Sequence, residues 1–309
     1  MTTTVPKIYA FHEFSEVAEA VADYVVYAQN NALSKELVDR KMSVSSLNVN
    51  SEVEFKDVQR SVSIKSVSGV SRESSKKPKR EVRFKIALSG GSLIHVLHKG
   101  LLSRTDVMWG KWDIYFADER LVPFDSEHSN FGLAKREILD QIDTEAYGKP
   151  NVFHINESLI KDPQECADDY EKILIKGFAG RDSVKLPMFD LFLLGCAPDG
   201  HIASLFPNFQ ENLREKLAWV VPVTGAPSGP TERISLTIPV ICHSHRLAFV
   251  VEGSTKAPVL KTIMERPEKG LPSSIVNEGA AGRVSWFVDD EALTDVSVIK
   301  KDYKFRSNK

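Results

Sequence analysis

Cysteine is scarce in this chain. Three cysteines in 309 residues (Cys166, Cys196 and Cys242) stand far apart and are odd in number. They form neither a disulfide framework nor a metal-ligand spacing, so a reducing, cytosolic or nuclear compartment is expected. Net charge is also scarce. Forty basic against 42 acidic residues leave −2, with no global field for nucleic acid or a membrane surface. No apolar run approaches the ~18 residues needed to cross a bilayer. The opening MTTTVPKIYAF lacks the charged and apolar regions of a secretory signal. His95 with His98, and His243 with His245, have no third ligand nearby in sequence, so no metal is expected.

What remains is ordinary globular composition, 42% hydrophobic and 27% charged. Lys7 to Phe11 reads as a strand. Phe14, Val17, Ala18, Val21, Val25 and Ala28 then recur at helical spacing, predicting an amphipathic helix to about Leu37. From 41 to 80 the chain is serine-rich and aperiodic, with Phe55 as its one aromatic, and it ends in Lys76-Lys-Pro-Lys-Arg80. This reads as a flexible insertion between residues 1–40 and 81–309 of one domain. Its basic run is either a solvated tail or an import or nucleic-acid patch.

Apolar strands are expected at 84–89, 113–117, 152–155, 189–194, 220–223, 246–251 and 284–288, with helical stretches between them. Asp162, Pro163 and Glu165 fit the N-cap, N1 and N3 positions of one helix. The alternation predicts an α/β fold: a mostly parallel, Rossmann-like sheet flanked by helices, in a single domain. Ligands of such sheets bind at the carboxyl ends of strands, so the loops there are the candidates.

Five loops stand out. Ser89-Gly90-Gly91-Ser92 precedes a helical stretch from Leu93 to Leu102. It reads either as a tight turn or as an anion site at a helix N-terminus. It lacks the Gly-Lys of a P-loop, the third glycine of a dinucleotide fingerprint and the glycine of a nucleophile elbow. Asp118-Glu119-Arg120 follows a strand. It either caps a helix or supplies an anion-binding Arg120 with Asp118 as orienter or base. Leu194 to Pro207 delivers Asp199 and His201 through a glycine-containing turn, either for acid–base chemistry or to brace the loop. Arg233 in Thr231-Glu-Arg-Ile-Ser-Leu-Thr237 and Lys256 in Gly253-Ser-Thr-Lys-Ala257 each set a cation beside a strand.

In this order the five loops resemble the 6-phosphogluconolactonase family, which shares a superfamily with the glucosamine-6-phosphate deaminases. Ser204-Leu-Phe-Pro207 matches the lactonase side, where the deaminases carry Phe-Asn-Glu-Pro. With its insertion the chain looks most like the longer yeast lactonase-like members. The resemblance implies hydrolysis of 6-phospho-D-glucono-1,5-lactone in the pentose phosphate pathway. It implies His201, Asp199, Arg120 and Asp118 as catalytic residues. Ser89, Gly90, Gly91, Ser92, Arg233 and Lys256 would hold the substrate phosphate, and no cofactor would be needed. The alternative it implies is a catalytically weakened paralogue with a regulatory role, such as in tRNA distribution, linked through the insertion.

Two departures from the family pattern bear on that choice. Ala197 stands where a glycine is usual, which predicts strain or lost room if the position needs positive φ. Leu93 and Ile94 replace a usual Thr-Pro, removing a hydroxyl beside the expected anion and the proline at the helix start.

Overall fold

Consecutive residues in the central strands bury into two different cores, which is what a sheet covered on both faces requires. In the strand Phe84–Leu88, Phe84, Ile86 and Leu88 pack on one side while Ala87 packs on the other. The computed structural model describes residues 6–45, 81–178 and 186–303, with side chains of the first helix described as far as Ser34.

Among these residues the strands are β1 (Lys7–Phe11), β2 (Phe84–Leu88), β3 (Trp112–Phe116), β4 (Asp118–Arg120), β5 (Asn151–Phe153), β6 (Leu191–Leu194), β7 (Val220–Val223), β8 (Arg233–Leu236), β9 (Leu247–Val251) and β10 (Val284–Asp289). The helices are α1 (Phe14–Ser45), α2 (Ser92–Leu101), α3 (Asn130–Glu137), α4 (Thr144–Tyr147), α5 (Pro163–Phe178), α6 (Gln210–Arg214), α7 (Ile238–Cys242), α8 (Ala257–Glu265) and α9 (Pro272–Gly279).

The main sheet runs β1-β10-β9-β6-β2-β3-β5 and every pairing in it is parallel. Apolar residues of α1, α2 and α3 cover one face, and those of α5, α7, α8 and α9 the other. The chain steps outward from β2 through β3 to β5, then returns to the other side of β2 with β6. That reversal opens a crevice above the carboxyl ends of β2 and β6, the usual ligand position in such a sheet.

The predicted parallel α/β sheet is therefore present, with two differences. The 220–223 strand lies outside it. It forms β7 of a second, antiparallel sheet of order β4-β8-β7. Helix α1 continues to Ser45, past the expected end near Leu37 and into the segment expected to be flexible. Residues 46–80, including the basic run, lie outside the described residues. The helix signal at 162–165 holds: Asp162 Oδ1 accepts the Glu165 N–H at 3.0 Å and α5 starts at Pro163.

Helix α2 is fixed against α1 by close backbone approach. A methyl group on Gly100 would lie 2.4 Å from the Ala18 carbonyl oxygen and 2.9 Å from Ala22 Cβ. Gly100→Ala therefore forces the two helices apart, and should lower stability by about 1–3 kcal/mol in denaturant unfolding. An unchanged midpoint would show that this contact yields without loss.

Candidate active site

The register of the sheet brings the candidate loops to one level. Leu88 pairs with Leu193 and with Phe116, and Leu194 pairs with Phe249. The chain segments leaving β2, β3, β6 and β9 therefore rise side by side.

After β2, Gly91 takes φ +67° and serves as N-cap of α2 without any side-chain cap. The first N–H groups of α2 thus have no side-chain acceptor at this end, the arrangement that suits an anion. Gly90 is needed for space: a methyl group there would fall 1.8 Å from Asn130 Oδ1.

After β3 the chain enters β4 directly. Strand alternation puts Asp118 and Arg120 on one face and Glu119 on the other. Across the ladder Asp118 pairs with Ser235 and Arg120 with Arg233, so two arginines stand abreast beside one acid. Asp118 is buried. Its Oδ2 accepts Ser204 Oγ–H at 2.7 Å, and Asn130 Nδ2 donates to its backbone oxygen at 3.0 Å and to Oδ1 at 3.2 Å. Arg120 Nε lies 3.8 Å from Asp118 Oδ2, while Nη1 donates to the His128 carbonyl at 2.9 Å. Arg120 Nε is buried and makes no hydrogen bond.

Arg233 is only 2% exposed. Its Nε donates to the Pro230 carbonyl at 2.9 Å and Nη2 to the Ser228 carbonyl, which leaves Nη1 facing Ser204 Oγ at 3.5 Å. Burial, together with the Arg120 charge, draws its pKa down from the ordinary value.

After β6, Gly200 at φ +84° lets the chain wrap between Asp199 and His201. Asp199 Oδ1 accepts both the His201 backbone N–H at 3.1 Å and the ring Nδ1–H at 2.7 Å. This pins the tautomer and leaves Nε2 with the free lone pair. Burial lowers the His201 pKa; Asp199 and Asp118 oppose the shift without cancelling it. The imidazole is therefore neutral at pH 7. The Phe206 ring lies 4.4 Å from the His201 ring and 5.3 Å from the Arg233 guanidinium, walling one side of the site. Ala203 at φ +48° turns the chain sharply at Ile202–Leu205, and Ser204, the next residue, reaches Asp118. After β9, Lys256 lies close enough to the Cys196 thiol to oppose burial, which pushes that thiol up to about 12.

The structure thus groups His201, Asp199, Asp118, Arg120 and Arg233. It sets Ser89, Gly90, Gly91 and Ser92 one strand away, and Lys256 on the far side of the β6 loop. Sequence reasoning missed Asn130 and Ser204. Ser204 was visible inside the Ser-Leu-Phe-Pro motif, whereas nothing local marked Asn130. The helix-capping reading of the Asp-Glu-Arg triplet is met by Glu119, on the face opposite Asp118 and Arg120. Glu119 accepts backbone N–H groups of Arg120 at 2.8 Å, Asn130 at 2.7 Å and Phe131 at 2.8 Å, capping α3. Ala197 is not among the positive-φ residues, so its methyl carries no backbone strain. Leu93 and Ile94 point into the core, 1% and 0% exposed, rather than toward the anion loop.

Burial outweighs the backbone donors at Glu119 and pushes its carboxyl up to about 7. A carboxyl whose pKa is higher folded than unfolded stabilises the fold most below the unfolded value, and that stability drains away as pH rises through 7. Denaturant unfolding of the native protein should thus lose stability between pH 5 and pH 8, by roughly 3 kcal/mol at this site. Glu119→Gln should flatten that slope; an identical slope would reassign the titration.

Residues 59–286 match the family model described as glucosamine-6-phosphate isomerases/6-phosphogluconolactonase. The 6-phosphogluconolactonase-like protein 1 of Saccharomyces cerevisiae is 74% identical over 314 residues, covering 99% of this chain and 98% of that one. The 6-phosphogluconolactonase 3 of the same organism is 38% identical over 223 residues, covering 69% and 84%. The solved 6-phosphogluconolactonase of Trypanosoma brucei shares the fold, with TM-score 0.66 at 20% identity over 96% of this chain and 100% of that one. The matched fold, the loops at its switch point and these relatives together make the chain a member of the glucosamine-6-phosphate isomerase/6-phosphogluconolactonase family.

Proposed function

We propose that this protein hydrolyses 6-phospho-D-glucono-1,5-lactone to 6-phosphogluconate. The observation that carries the reading is His201, a neutral imidazole oriented by Asp199 Oδ1 at 2.7 Å and lying within the field of Asp118, whose Oδ2 is 3.8 Å from the unbonded Arg120 Nε.

In this reading His201 Nε2 accepts a proton from water as the water oxygen attacks the lactone carbonyl carbon. The carbonyl oxygen gains negative charge, which Arg120 Nε–H is available to bind. The C–O bond to the ring oxygen then breaks, and His201 returns the proton to that oxygen as it leaves. Asp199 holds the imidazole and stabilises its transient charge. Asp118 holds Arg120 in place. The N–H groups at the start of α2, the hydroxyls of Ser89 and Ser92, and Lys256 would take the phosphate. Arg233, with Nε and Nη2 engaged by loop carbonyls, braces the floor and offers one remaining N–H face. The conformation of Ala197 and the core placement of Leu93 and Ile94 support retained activity over the weakened, regulatory alternative.

Fresh lactone tests this directly, with 6-phosphogluconate measured against the spontaneous rate. The native protein should accelerate hydrolysis, and His201→Ala should remove about 10²–10⁴ of that rate. A native rate equal to the spontaneous one would favour the regulatory reading. Activity surviving in His201→Ala would remove the base assignment. Asp199 raises the His201 pKa, so Asp199→Asn should move the acid limb of the kcat/KM profile to lower pH while reducing the plateau. A limb that stays put would separate Asp199 from the titrating group.

A further inference from the structure

At the amino ends of the sheet, opposite the candidate active site, three neighbouring strands begin with cations. Lys7 opens β1, Arg246 immediately precedes β9 and Arg283 immediately precedes β10. The register pairs Lys7 with Ser285 and Val284 with Leu247, and the Leu247 N–H donates to the Arg283 carbonyl at 3.0 Å. Arg246 and Arg283 therefore stand abreast, with Lys7 on the far side of β10. Helix α1 packs against β10, and its Tyr27 and Asn31 border an open pocket of about 560 Å³ that these cations line.

Like charges directly opposite one another on paired strands are destabilising unless a counter-charge is near. Here no Asp or Glu is among the described residues that line the cavity. Arg283 Nη1 donates to the Ser244 carbonyl, and the Arg246 guanidinium lies 5.4 Å from the centre of the Tyr27 ring. Both contacts orient the arginines and neither neutralises them. Among its described lining residues the site thus presents several cations, two of them planar forks, and no carboxylate. That chemistry suits an oxyanion carrying more than one charge, and the fork geometry suits phosphate.

We propose that this cavity is a second anion site, taking a phosphate-bearing small molecule at the end of the sheet away from the proposed catalytic centre. Strands of five residues set the two sites roughly 15 Å or more apart, so each is separately occupiable.

Isothermal titration calorimetry of the full chain with pyrophosphate at low salt tests this without reference to catalysis. Binding should be detected, and it should weaken as salt rises. The paired change Arg246→Ala with Arg283→Ala should weaken this component about tenfold or more, the loss expected for charge-assisted contacts. Lys256→Ala, at the other end of the sheet, should leave it in place. Lys7→Gln, at an exposed position, provides a milder variant should the paired change unfold, and should weaken binding to a smaller extent. Pyrophosphate binding that is absent at millimolar concentration, unaffected in the arginine and Lys7 variants, or abolished by Lys256→Ala alone would overturn the proposal.

Discussion

One buried carboxyl group, that of Asp118, ties together the parts of the site that come from distant stretches of chain. It sits on β4 beside Arg120, receives the hydroxyl of Ser204 from the loop after β6, and is held by Asn130 from the start of α3. Across the ladder lies Ser235, with Arg233 two pairs away. A buried acid without partners is strongly destabilising. Each neighbour is therefore constrained in turn. Gly90 must lack a side chain so that Asn130 fits. Ala203 must adopt φ +48° for the tight turn that leads into Ser204. The glycine after β2 and the strained alanine are thus consequences of satisfying the same carboxyl group.

That dependence also explains how much was legible in the sequence. The main-sheet strands are short apolar runs, and their periodicity shows locally. The glycines at 90, 91 and 200 and the Asp199–His201 pair are adjacent in sequence, so their loops were readable as candidate sites. The small antiparallel sheet was not, because β4 is the charged triplet Asp118–Arg120, which carries no strand signature of its own. Its strand character comes from pairing with β8, far along the chain. Asn130 was hidden for the same reason: its role exists only through contacts with Asp118 and Gly90. The departures at Leu93 and Ile94 looked like losses at an anion loop because a motif records order along the chain. It does not record the direction of a side chain, and in α2 both residues belong to the core.

The same fold places arginines abreast at both ends of the main sheet and treats them differently. Near the carboxyl ends, Arg120 and Arg233 are paired across the ladder with Asp118 two residues along β4, and two nitrogens of Arg233 are engaged by carbonyls. Two guanidiniums against one carboxylate leave positive charge there, and its buried donor without a hydrogen bond is Arg120 Nε. At the amino ends, Arg246 and Arg283 share a cavity whose described lining holds no acid. A focused donor suits charge that appears only during a reaction. A diffuse cluster suits an anion that arrives already charged.

His201 shows how the site balances opposing effects. Burial alone would make the imidazole a poor base by driving its pKa far down. Asp199 and Asp118 pull it back, and Arg233 pushes it down again. Removing the Asp118 network would withdraw one of the two acids and leave Arg233 less compensated, so the base would weaken even with its Asp199 hydrogen bond intact. The residue that organises the geometry therefore also tunes the proton affinity of the His201 imidazole. In the proposed mechanism Asp118, which makes no direct hydrogen bond to His201, therefore acts as a positioning residue as well as part of the architecture.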